Sequence, residues 1–172
     1  MLPMGCLCLA RCATPLGEML LASKGEALVG AWFAGQRFYS AGVDAARAVW
    51  QSTPPLHAAT AWLEAYFAGG APAAMPPLPP LAPVGTPFRQ AVWQHLRGIP
   101  YGHTTTYGAL AELLKQQGVR AAAQAVGAAV GRNPISLFIP CHRVLAADGA
   151  LAGYAGGLAR KAYLLALEKQ RQ

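Results

Sequence analysis

Ala71-Pro72-Ala73-Ala74-Met75-Pro76-Pro77-Leu78-Pro79-Pro80-Leu81-Ala82-Pro83 divides the chain. Half of the fourteen prolines fall between Pro72 and Pro87. Proline lacks an N–H and has a fixed φ, so this stretch suits neither a helix interior nor a central strand. It reads as a stiff, extended connector over residues 72–85. A first domain is expected over residues 1–71 and a second over 86–172.

Before the connector, apolar runs at Cys6–Cys12, Glu18–Ala22 and Ala27–Phe33 are punctuated by Thr14-Pro15-Leu16-Gly17 and Ser23-Lys24-Gly25. This pattern predicts an antiparallel meander. Helices are expected near Val43–Gln51 and Pro55–Phe67, the second ended by Gly69-Gly70. After the connector, Thr86-Pro87 signals a helix start, with Phe88, Val92 and Leu96 on one face. Gly98-Ile99-Pro100 stops that helix. Thr104-Thr105-Thr106 offers caps for a helix over Tyr107–Lys115, and Gln116-Gln117-Gly118 makes a turn. A further helix is expected over Val119–Gly131, broken by Asn133-Pro134. Ile135–Ile139 reads as a short strand ended by Pro140. The fold class is therefore α+β: a small α+β domain followed by a mainly helical one.

With 54% apolar and 12% charged residues, this is a sparsely charged globular chain rather than a disordered one. A chain of 172 residues buries roughly 70% of its unfolded surface and needs no disulfide to fold. The net charge is +7. Residues 1–85 carry four cations and four anions, and residues 86–172 carry ten cations and three anions. A basic half beside a neutral one points to a polyanionic partner or to a basic surface kept for solubility.

Cys6, Cys8 and Cys12 crowd the N-terminus, far from any histidine, so they read as small buried hydrophobes in a strand rather than metal ligands. Met1-Leu2-Pro3-Met4-Gly5 shows no leader pattern, and no stretch is apolar for long enough to span a membrane. Free thiols in a reducing, cytoplasmic setting are expected, with no metal and no cofactor.

Two helices joined by a short glycine-containing turn fit helix-turn-helix spacing, although helical hairpins are common. The second is nearly bare: Ala121, Ala122, Ala123, Ala125, Gly127, Ala128, Ala129 and Gly131. It lacks the long donors and acceptors that read base edges. It suits either a close minor-groove approach or tight packing in a core. Arg120 and Arg132 at its ends meet phosphates in the first case and solvent in the second.

Pro140-Cys141-His142-Arg143-Val144 is the most informative stretch. Thiolate is the nucleophilic form of cysteine, and neighbouring cations favour it, so an anionic sulfur is expected. Strand neighbours point to opposite faces, so His142 is expected to reach Cys141 through a water. A third group must orient such a base. Glu168 is a candidate because only Glu112, Asp148 and Glu168 are acidic after the connector.

The run Asn133 to Val144 resembles the active-site signature of the O6-alkylguanine-DNA alkyltransferases, also called methylated-DNA–protein-cysteine methyltransferases. The likeness extends through Ile99-Pro100-Tyr101-Gly102, Thr106-Tyr107-Gly108, Ala125-Val126-Gly127, Gly153-Tyr154-Ala155-Gly156-Gly157, Lys161 and Leu164-Leu165 to Glu168. It is strong over about residues 86–168. In the first half it rests on Thr14-Pro15-Leu16-Gly17 and Glu64–Gly69. The resemblance implies a ribonuclease-H-like first domain and a winged-helix-like second. It implies direct-reversal repair in which the alkyl group of O6-alkylguanine moves irreversibly to Cys141. In that scheme His142 deprotonates Cys141 through water, Glu168 orients His142, and Asn133 braces the turn. Tyr107 donates a hydrogen bond to the guanine ring. The Cys141 and Val144 backbone meets the exocyclic amine, and the Ala155 N–H meets the base oxygen. Lys161 supports the pocket, and Gly153–Gly157, with Tyr154, closes over a flipped base. The implied partner is double-stranded DNA, gripped in the minor groove with little sequence specificity by a monomer. It would be nucleoid-associated when bound.

One position departs from the family pattern. Gln124 stands where an arginine commonly fills the gap left by the flipped nucleotide. Two other readings compete: a cysteine hydrolase using Cys141 and His142, and a non-catalytic damage-binding protein.

Overall fold

The computed structural model describes residues 5–171. The expectation about a leader concerns residues 1–4, which lie outside the described residues. The chain divides into two units. The first runs up to Val84 and includes Pro134–Phe138; the second comprises Gly85–Asn133 and the chain from Ile139 onward.

In the first unit, the meander forms as β1 (Leu7–Thr14), β2 (Gly17–Lys24) and β3 (Ala27–Phe33). The Thr14 hydroxyl donates to the Gly17 carbonyl at 2.6 Å and closes the first hairpin, in which Gly17 takes φ 106°. Antiparallel pairing runs from Leu7 opposite Lys24 to Thr14 opposite Gly17. β4 (Val49–Trp50) adds to β1 in parallel, giving the order β3-β2-β1-β4. α1 (Pro54–Ala68) packs on the sheet and ends at Gly69, which takes the left-handed conformation. Strand alternation sends Cys8, Cys12, Met19 and Leu21 to one face and Leu9, Leu20, Ala22 and Trp32 to the other. All of these are buried, so the sheet carries core on both sides. Cys8 and Cys12 act as small apolar residues here, and the four thiols are free.

The expected helix over Val43–Gln51 does not form. Asp44 caps a single 3₁₀ turn, Ala45–Arg47, by accepting from the Ala46 N–H at 3.2 Å. The chain then extends, because Val49 and Trp50 suit a strand and the β1 edge offers unpaired backbone groups. The proline-rich stretch, expected as a stiff, extended connector, is held by hydrogen bonds. It lies on the outer edge of β3, where Leu28 N–H donates to the Pro80 carbonyl at 2.8 Å and Ala82 N–H to the Leu28 carbonyl at 2.9 Å.

The expected strand over Ile135–Ile139 is also absent. Ile135 bridges Ala31, with Ala31 N–H donating to the Pro134 carbonyl and Ser136 N–H to the Ala31 carbonyl, both at 2.9 Å. The chain then turns at Leu137, which takes φ 76°. Apolar composition alone did not distinguish a strand from a buried turn.

In the second unit, α2 (Pro87–Arg97) starts as expected, with the Thr86 hydroxyl accepting from the Arg89 N–H at 3.3 Å. After the short strand β5 (Thr105–Thr106), α3 (Tyr107–Gln116) is capped by Thr106, which accepts from the Ala109 N–H at 3.1 Å. α3 ends in a Schellman motif. Gly118 N–H donates to the Lys115 carbonyl and Val119 N–H to the Leu114 carbonyl, both at 2.9 Å, with Gly118 at φ 82°. That closure ties Val119 to α3, so the next helix, α4, spans Ala123–Gly131 rather than starting at Val119. Both α2 and α3 pack on α4, and the Trp93 indole N–H donates to the Ala129 carbonyl at 2.9 Å. A 3₁₀ turn at Cys141–Arg143 leads into β6 (Val144–Leu145), which pairs in parallel with β5. α5 (Leu158–Lys169) packs against that turn. The fold class is α+β, with a ribonuclease-H-like sheet order in the first unit and a winged-helix-like second unit. No described helix is long and apolar enough to cross a membrane.

Leu137 is buried at 1% exposure despite its positive φ. Glycine there would relieve about 1–2 kcal/mol of backbone strain. It would also lose an apolar side chain whose removal costs about 2–5 kcal/mol. The second effect wins, so Leu137→Gly is expected to lower the urea midpoint. An unchanged or raised midpoint would show that strain dominates.

Candidate active site around Cys141

Cys141 opens the 3₁₀ turn rather than sitting in a strand, and it is buried. The reason expected for separating it from His142, strand alternation, therefore does not apply. The Asn133 amide, arriving from the end of α4, donates to Cys141 Sγ at 3.2 Å and to the Ile139 carbonyl at 2.8 Å. One side chain thus fixes both the sulfur and the backbone that presents it.

Burial pushes the Cys141 thiol up. The Asn133 hydrogen bond, the Lys161 charge and backbone N–H groups oppose it without winning. Burial therefore opposes the anionic form, and a base must take the thiol proton before attack, the role that the resemblance gives to His142.

His142 is fully buried. Its Nε2 lies 2.7 Å from Glu168 Oε1, and its Nδ1 has no hydrogen-bond partner among the described residues. Burial drives the imidazole below its ordinary value, although the Glu168 hydrogen bond and charge pull the other way. Burial alone would raise the Glu168 carboxyl. The hydrogen bonds from His142 and Arg143 outweigh it and hold Glu168 far below the usual carboxylate range. Glu168 therefore accepts only, so Nε2 carries the hydrogen and Nδ1 of the neutral ring offers a lone pair.

Sequence reasoning noted Arg143 only as a neighbouring charge. In the structure its guanidinium is buried and forks onto Glu168, Nε to Oε2 and Nη2 to Oε1, both at 2.9 Å. Nη1 donates to the Ile99 carbonyl at 2.7 Å. Gly102 N–H also donates to Glu168 Oε2, at 3.1 Å. The sequence carried no local signal for this pairing, because only the fold shows that Arg143 is buried, and a buried arginine is almost always paired.

Lys161 is completely buried on α5, and its Nζ donates to the carbonyls of Val144, Ala152 (2.9 Å) and Gly153 (3.2 Å). Tyr107 Oη donates to the Ala152 carbonyl at 2.7 Å, so the hydroxyl assigned to guanine is occupied by the loop. The Tyr154 hydroxyl is buried with no partner among the described residues, and burial raises its phenol well above the ordinary value. A Cβ on Gly156 would stand 2.7 Å from the Tyr154 ring, so only glycine permits that packing. Ala155 lies between them, half-buried.

Cys141, His142, Glu168, Asn133, Lys161, Tyr107 and Val144 thus meet at one site. Arg120, Gln124 and Arg132 do not; they are exposed at and near α4. Val126, Ala129 and Val130 turn inward, while Ala122, Ala123, Gln124, Ala125 and Ala128 face solvent. The bare side of α4 is therefore an open surface, not core packing. Among the described residues, no group of three His, Cys, Asp or Glu side chains is placed to hold a metal.

A family model described as 6-O-methylguanine DNA methyltransferase, DNA binding domain, matches residues 87–170. A methylated-DNA–protein-cysteine methyltransferase of Mycobacterium leprae is 42% identical over 92% of this chain and 90% of its own length. The crystal structure of Mycobacterium tuberculosis O6-methylguanine methyltransferase superposes with a TM-score of 0.77 at 38% identity, covering 96% of this chain and 94% of that one. The same bacterium's protein solved in complex with DNA gives 0.76 at 38%, covering 96% and 93%. Fold and site define a cysteine-dependent enzyme built on a helix-turn-helix unit. The chain belongs to the methylated-DNA–protein-cysteine methyltransferase family.

Acid should destabilise the protein in two steps. Burial favours neutral His142, so its contribution is present above the ordinary value of 6.5 and is lost as pH falls from there to the lower folded-state value. Glu168 is held anionic, so its contribution is present above 4.5 and is lost below. Glu168→Ala leaves Arg143 buried without its carboxylate and is expected to cost about 3–5 kcal/mol at pH 7. Urea melts of the wild-type protein from pH 8 to 2, and of Glu168→Ala at pH 7, check these expectations, and a flat wild-type profile would contradict them.

Proposed function

We propose that this protein repairs alkylated double-stranded DNA by moving the alkyl group from guanine O6 to Cys141 Sγ, once per molecule. The observation that carries the reading is the pairing of an amide-braced cysteine with a carboxylate-backed histidine whose second nitrogen has no partner among the described residues. Family membership supplies the substrate class.

The alkylated atom lies inside the duplex, so the nucleotide must leave the stack at a cost of a few kcal/mol, less for a weakened pair. The bare face of α4 lies against the minor groove, and Arg120 and Arg132 meet phosphates. Gln124 is the longest side chain on that face and takes the place of the extruded base. In the pocket, the backbone of Cys141 and Val144 faces the exocyclic amine, the Ala155 N–H faces O6, and Tyr107 exchanges the Ala152 carbonyl for a ring nitrogen. Lys161 keeps the loop carbonyls of Ala152 and Gly153 in place beside Tyr154. His142 Nδ1 then takes the thiol proton through a water while Glu168 steadies the ring. The sulfur attacks the alkyl carbon in line, the S–C bond forms and the C–O6 bond breaks. The electron pair leaves on guanine, which regains the proton from imidazolium. A thioether is a poor leaving group, so Cys141 is not regenerated. The protein acts as a monomer, and its free thiols suit a reducing, cytoplasmic setting.

With excess O6-methylguanine duplex, repaired guanine should plateau at one equivalent per protein, and Cys141→Ala should give none. Repeated turnover would favour a hydrolase, and binding without repair would favour a damage sensor. Gln124→Arg adds a charge at the vacated stack. It should raise the repair rate on duplex severalfold while leaving the rate with free O6-benzylguanine unchanged. No gain on duplex would remove Gln124 from the flipping step.

A further inference from the structure

We propose that Arg143 is a positioning residue for the transfer: its fork occupies both oxygens of Glu168 and so fixes His142 as a neutral imidazole, hydrogen on Nε2 and Nδ1 open. The inference rests on the alkyl-transfer reading for its purpose but not for its test.

A histidine beside a lone carboxylate in a dry site tends to become imidazolium, because the anion needs a partner. An imidazolium at rest has no lone pair to accept the thiol proton. Here the anion already has a partner. Arg143 meets both oxygens at 2.9 Å, with a third anchor on the Ile99 carbonyl. The charged groups that act on the His142 ring are Glu168 and Lys161 from α5 and Arg143 from its own turn. Cys141 beside it is a neutral thiol, and Tyr101 and Tyr154, both near Glu168, are held protonated by burial. Two cations thus face one anion, and a charged His142 would be a third cation. Once Cys141 releases its proton, the new thiolate makes that third cation acceptable. The base stays empty until the reaction fills it. Lysine would keep the charge but not the planar two-pronged contact that pins both oxygens.

The test is ¹⁵N NMR of the histidine ring nitrogens across pH, on the DNA-free protein. Wild-type His142 should show the neutral, Nε2-protonated pattern from pH 6 to 8. Arg143→Met should raise its titration midpoint by at least one unit, a tenfold gain in proton affinity. Arg143→Lys should fall between the two. If Arg143→Met does not fold, the wild-type pattern and Arg143→Lys decide. An imidazolium or an Nδ1-protonated ring in wild type at pH 7 overturns the proposal, as does an unmoved midpoint in a folded variant. Because no DNA is present, failure here leaves alkyl transfer standing. A protein that never takes up methyl would equally leave this spectrum unchanged.

Discussion

Glu168 holds a full negative charge where water barely reaches, and the site is arranged around that cost. A carboxylate left alone there would take up a proton. It stays ionised because Arg143, His142 and the Gly102 N–H all donate to it. Each of these contacts also places something else. The Arg143 fork anchors the Cys141–Arg143 turn to α5, and the Gly102 contact ties in the loop before α3. The His142 contact sets which ring nitrogen is free. Cys141 inherits its position from this buried charge, with Asn133 gripping it from the other side.

The same unit separates its buried charges from the surface proposed to meet DNA. His142, Arg143, Lys161 and Glu168 are gathered inward, while α4 presents alanines outward with a single glutamine among them. A helix that bare forgoes base-edge reading and gains closeness. That suits the proposed repair of a lesion rather than the reading of a sequence. The loop beyond β6 is tied down twice, by Tyr107 and by Lys161, through the carbonyls of Ala152 and Gly153. The proposed base contact of Tyr107 competes with its hold on that loop, so pocket occupancy and loop position are linked through one hydroxyl.

Local chemistry made much of this legible. Thr86-Pro87 and Thr106 announced helix starts because a hydroxyl cap and an N1 proline act within a few residues of themselves. Gly17, Gly25 and Gly118 marked reversals for the same local reason. Cys141, His142, Glu168 and Asn133 were found through a motif, and the fold brings them together. What stayed hidden depends on distant partners. Val49-Trp50 becomes a strand only because β1 has an open edge. Ile135–Ile139 is as apolar as a strand but is spent on a buried turn at Leu137. Arg143 looked like a cation that would lower a neighbouring thiol, yet its charge is consumed by Glu168, and burial decides the state of Cys141. Sequence neighbours suggested the wrong electrostatic partner; tertiary structure supplied the right one.

The central claim is that carbon ends on one particular sulfur. The direct measurement uses a duplex whose O6-methylguanine carries a trideuterated methyl, followed by proteolysis and peptide mass mapping. The account predicts the label on the peptide containing Cys141, in equal amount to the guanine released, with none on Cys6, Cys8 or Cys12. Label recovered as methanol beside an unmodified Cys141 peptide would contradict it.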